Sequence, residues 1–144
     1  MTTPALPTET IDPSALILEQ LADAMIFADA EGRIAGWNAA ASQLFGYVAA
    51  ETMGQSLDII IPERLRAAHW RGYDAAIASG KTRLSGKPTL TKAVHKDGSK
   101  LYVEMTFALV LDAEGKSIGS VAIARDATER VERERSARAQ PDSL

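Results

Sequence analysis

Apolar and polar residues recur along this chain with two periods, and the switches between them mark its elements. From Pro13, PSALILEQLA carries Leu16, Ile17 and Leu21 at helical spacing, with Asp12 placed to cap the helix and Pro13 in its first turn, where no amide donor is needed. DAMIFADAEGRIAGWN then reads as two strands, Met25 to Ala28 and Arg33 to Trp37, joined at DAEG with Gly32 free to take positive φ. Asn38 stands at an N-cap position before AAASQLFGY, a short helix stopped by Gly46, and AAETMGQ reads as another helical segment. Pro62 opens and Gly80 ends the longest helix, RLRAAHWRGYDAAIASGK, from Arg64 to Lys81.

The last third has the period of strands. PTLTKAVHK, KLYVEMTFALVL and SIGSVAIARDA are separated by KDGS and a second DAEG, both turn sequences. In the middle strand Leu101, Val103, Met105 and Phe107 alternate with Tyr102, Glu104 and Thr106, the pattern of a sheet with one covered face. DATERVERERSARA is helical and highly charged, has Asp126 and Glu129 at capping-box spacing, and is expected to leave the domain. Hairpin, short helices, one longer helix, three-stranded meander and terminal helix make an α+β fold: an antiparallel sheet with helices on one face.

The division expected is a flexible tail over 1–12, a folded domain over 13–127, and a helix and tail over 128–144. Length and composition suit one domain: 144 residues, 46% hydrophobic and 24% charged. A net charge of -3 without a basic run argues against nucleic acid as a partner. There is no cysteine, which removes disulfides, thiolate catalysis, Cys-bound zinc and cysteinyl photoadducts. No apolar stretch is long enough to span a membrane and the N-terminus lacks a secretory pattern, so the expectation is a cytoplasmic protein. Met1 and the end PDSL read as a complete chain. With no phosphate loop, nucleophile elbow, zinc spacing or kinase segment, the chain reads as a non-enzyme, its carboxylates lying in turns and on a solvated helix face.

Together, ADAMIFADAEGRIAGWNAAASQLFGY, IIPERLR, HKDGSKLYVEMTFA and GSVAIARDATER resemble a PAS domain over roughly Leu16 to Arg130. The resemblance implies a five-stranded antiparallel sheet whose helices enclose a small pocket, with DAT at the junction to a signalling helix. Within the family, IPERLRAAHW is similar to the segment of haem-binding PAS sensors of the FixL and DosP types in which a helix histidine binds the iron, and His69 takes that place.

Iron in haem b needs an axial donor such as a neutral imidazole, and its macrocycle needs an apolar slot. Leu65, His69, Gly72, Tyr73 and Ala76 are spaced three or four apart, which puts His69 in the stripe facing the sheet, with Leu84, Met105, Phe107 and Ile123 as walls. The implied ligands are diatomic gases (O2, CO or NO) or a redox change of the iron. The arginine that contacts oxygen in FixL-like domains has no counterpart here: its position falls near Pro88 and Thr89, and Arg83 is close in sequence alone. Met105 is a candidate sixth iron ligand, and a packed methionine is the plainer reading.

Two alternatives stand beside haem. A cofactor-free PAS interaction module, or a binder of a small metabolite, needs His69 merely as a packed side chain. A flavin-binding redox sensor would use Trp37 and Asn38, which also read as a core aromatic and a helix cap. His95, beside the KDGS turn, is read as a solvated turn residue. Signalling would be a population shift relayed along the last strand to DATER, and onward to a partner protein or through a homodimer built on the terminal helices, where Leu16, Ile17 and Leu21 form an apolar edge.

Overall fold

The structure is a computed structural model that describes residues 12–82 and 86–139. The tail expected over 1–12 lies outside these residues except for Asp12, as do Arg83 and Leu84.

Asp12 caps α1 (Pro13–Gln20), its carboxylate accepting from Ser14 N at 2.9 Å. β1 (Ala24–Asp29) and β2 (Ile34–Trp37) form the expected hairpin. Both DAEG copies fold alike: Asp29 accepts from Glu31 N and Arg33 N, and Asp112 from Glu114 N and Lys116 N. The repeat is turn chemistry, an Asp side chain satisfying amides that the strands cannot.

Asn38 caps α2 (Ala39–Phe45), which ends at Gly46, and α3 (Ala49–Thr52) follows, with Glu51 returning a carboxylate to Val48 N at 2.8 Å. Two 3-10 turns, Leu57–Ile60 and Glu63–Leu65, precede α4 (Arg66–Ser79). The long helix thus starts two residues later than expected, because Pro62 initiates the second of these turns rather than the helix itself. Gly80, in the left-handed region, ends α4 by donating to Ala76 O.

β3 (Thr89–Val94), β4 (Lys100–Leu111) and β5 (Ser117–Asp126) complete a fully antiparallel sheet of order β2-β1-β5-β4-β3. The pairings Ala24 with Ala124, Ile26 with Ala122, Met105 with Ala124 and Phe107 with Ala122 put these residues on one face, here called inner. On it Ile26, Trp37, Phe45, Leu57, Tyr73 and Val103 belong to one buried cluster.

The terminal helix departs from expectation. α5 (Thr128–Ala139) buries Val131, at 6% exposure, and the Arg135 guanidinium lies 5.0 Å from the Tyr102 ring centroid. Tyr102 alternates to the outer face of β4, so α5 turns back over that face rather than leaving the domain. Burial of Val131 contributes roughly 2 kcal/mol, and the exposed Arg130–Glu104 pair adds little.

Candidate functional site

α4 lies over the inner face by a stripe different from the one expected. Tyr73 and Ala76 are its buried residues, and Trp70 and Ile77 pack against the core beside them. Gly72 faces open space, and Leu65 and His69 are half-buried at the margin of the stripe. The anchor that rotates the helix is Trp70. Its indole donates to Asp58 Oδ1 at 2.8 Å and lies against Gly32, where φ is +80° and a Cβ would overlap the ring.

His69 sits in an aromatic cluster. Its ring is 4.6 Å from Trp70, edge-on, and 5.7 Å from Tyr73, and Tyr73 in turn is 6.2 Å from Phe107 across the slot. His69 Nδ1 is buried without a hydrogen-bond partner, and no hydrogen bond among the described residues involves this side chain. Burial holds its pKa below the usual histidine range, against the opposing pull of Asp58 and Asp74. The imidazole is therefore neutral near pH 7, with an uncommitted nitrogen.

Tyr73 fills the space between α4 and the sheet. It is 3% exposed, its hydroxyl donates to Asp29 O at 2.6 Å and accepts from Ser120 Oγ at 3.2 Å, and burial raises its pKa. Met105 and Phe107 are half-buried on the inner face and pack against the core cluster. Ile123 is not a wall: it pairs with Thr106 and Met25 and lies on the outer face. Thr89 pairs with Met105 and shares its face. A concavity of about 270 Å³ opens at the C-terminal end of α4 among Gly80, Thr82, Phe107 and Leu109, and one of about 410 Å³ lies along α1; His69 lines neither.

The residues of the flavin alternative are committed to the scaffold. Asn38 Oδ1 accepts from Met25 N and Ala41 N, and Nδ2 donates to Leu18 O and Asp23 O, which uses all four positions of the amide. Trp37 Nε1 is shared between Ser42 Oγ and Tyr47 O. His95 is more than a solvated turn residue: its ring packs on Gly46, where φ is +85° and a Cβ would overlap it, and Nδ1 accepts from Asp97 N. Among the described residues no cluster of three or more His, Cys, Asp or Glu side chains forms a metal site, and no helix is long and apolar enough to cross a membrane.

A five-stranded antiparallel sheet with one face roofed by short helices, and a histidine-bearing helix packed over that face, defines a small α+β domain. The chain belongs to the PAS family: the PAS fold model matches residues 15–127. It is 32% identical over 111 residues to the oxygen sensor protein DosP of Escherichia coli (strain K12), an alignment covering 77% of this chain and 14% of DosP. It is 30% identical over 122 residues to the two-component system protein A of Emericella nidulans, covering 83% of this chain and 17% of that protein. The chain thus spans a small part of the length of these relatives. Among solved structures, the PAS domain of a protein from Colwellia psychrerythraea superposes with a TM-score of 0.71 at 22% identity, covering 82% of this chain and 97% of that one.

Proposed function

We propose that this PAS domain is a non-enzymatic sensor that holds haem b through His69 and responds to a diatomic gas or to the redox state of the iron. The observation that carries the reading is the buried, unpartnered nitrogen of His69 on a neutral imidazole. A buried polar atom without a partner is costly, which marks the His69 ring as a place where a ligand would compensate that cost. The similarity to DosP, an oxygen sensor by name, supports the same assignment.

In this reading haem supplies the gas-binding and redox chemistry, and the chain supplies position. His69 would hold the haem iron, Leu65 would flank it, and Met105 and Phe107 would form the apolar wall that excludes water. Met105 would be a candidate second residue to hold the iron. Tyr73 fills part of the slot and turns aside to admit a planar ligand. β5 carries the change to α5, since Asp126, its last residue, accepts from Thr128 N where α5 starts. The signal passes to a partner protein or to a second copy seated on α1, which buries no residue and leaves Leu16 and Ile17 exposed.

A second reading, a cofactor-free PAS interaction module, is favoured by one observation: Tyr73 already fills and hydrogen-bonds across the slot. Hemin titration followed by absorbance separates the two. The haem reading expects a Soret band with saturable binding by the wild type, strongly weakened in His69→Ala and retained in His95→Ala; a wild type without a protein-dependent band selects the cofactor-free module.

A further inference from the structure

We propose that the Tyr73 hydroxyl is a latch, holding α4 down on the sheet and releasing before any ligand reaches the space beside His69. The inference rests on the reading of that space as the ligand site. α4 has 14 residues and fully buries two side chains, Tyr73 and Ala76, with Trp70 and Ile77 packed beside them, so Tyr73 is its one large buried ring. That ring is tethered at its far end to two strands at once, to the last carbonyl of β1 through Asp29 and to β5 through Ser120, itself 3% exposed.

The tether is polar in otherwise apolar surroundings, with Ala28 paired to Ser120 in the sheet and Phe107 against the ring. Swinging Tyr73 outward breaks both hydrogen bonds together and leaves the buried Ser120 hydroxyl without a protein partner, while the Asp29 carbonyl keeps the Gly32 amide alone. The closed state is therefore favoured when the slot is empty of ligand, and a ligand opens it by replacing the contacts of the ring. Because Ser120 lies on the strand that runs into α5, latch release acts on β5 itself.

Hydrogen exchange of the full chain without ligand reads the latch. Tyr73→Phe keeps the ring and loses the hydroxyl. It is expected to speed exchange of α4 and β5 amides roughly fivefold, the effect of losing about one buried hydrogen bond, while β3 amides stay unchanged. Ser120→Ala removes one tether from the other side and is expected to give the same pattern at smaller amplitude, so it serves if the Phe variant folds poorly. Rapid mixing with hemin adds the second arm, with association roughly fivefold faster for Tyr73→Phe. Exchange in α4 unchanged in both variants overturns the latch. Faster exchange with no hemin binding by either wild type or variant supports the latch and removes haem as its ligand, whereas equal hemin association rates with unchanged exchange keep haem and remove the latch.

Discussion

Asn38 and His69 are both polar side chains set into apolar surroundings, and they differ in what the fold does with them. Asn38 has every hydrogen-bonding position used: it ties α1, the start of β1 and the first turn of α2 into one node at 1% exposure. His69 has none used, and its ring rests on Trp70 and Tyr73 with a buried nitrogen unpaired. Polar groups that build a fold are satisfied by it, while those left unsatisfied are where a ligand is to be sought. The lesson extends to the flavin alternative, since its two residues belong to the satisfied class.

The sharpest way to break the comparison is to truncate the node. Asn38→Ala leaves the Met25 amide and three other backbone groups without their partner, and is expected to lower unfolding free energy by about 3 kcal/mol or more, read as a reduced urea midpoint. Gly32→Ala is next, at about 2 kcal/mol. It strains a positive φ and displaces the Trp70 ring that sets the rotation of α4, so Trp70 fluorescence is expected to shift with it. His69→Leu is expected to change stability by less than about 1 kcal/mol, and toward stabilisation, because it removes an unpaired nitrogen and keeps an apolar volume. A large loss there would place His69 in the structural class with Asn38.

The smallest effect is in pH. With its folded pKa below the unfolded value of about 6.5, His69 takes a proton more readily in the unfolded chain. Its contribution is flat above that value and becomes destabilising as pH falls through it toward the folded pKa. Urea midpoints between pH 7.5 and 5 are expected to fall in the wild type and to fall less in His69→Leu. Equal slopes would show that the imidazole is not shielded as described.

Much of the fold is legible in the sequence because turns and periods agree. Both DAEG turns, KDGS, the Asn38 cap and the alternation of β4 each follow from local chemistry, and they place all five strands. The face of β5 is not legible, since Val121, Ala122, Ile123 and Ala124 are all apolar. Pairing of Ala122 and Ala124 with Phe107 and Met105 decides it, and these small residues face inward while Ile123 turns outward. The docking of α5 is hidden by its charge, because a single valine and the outward Tyr102 hold it. The rotation of α4 is set at a distance, by Gly32 and Asp58 receiving Trp70, and positive φ at a turn glycine was the one available signal. His69 itself is legible as a candidate, though its place at the margin of the stripe is not.

Whether the free nitrogen of His69 is a ligand is tested most directly by taking the ring out and returning it as a small molecule. In His69→Gly, hemin binding and the Soret band are expected to be lost, and imidazole at millimolar concentration is expected to restore both, with N-methylacetamide as an inactive control. Hemin binding by His69→Gly equal to the wild type, and indifferent to imidazole, would contradict the account.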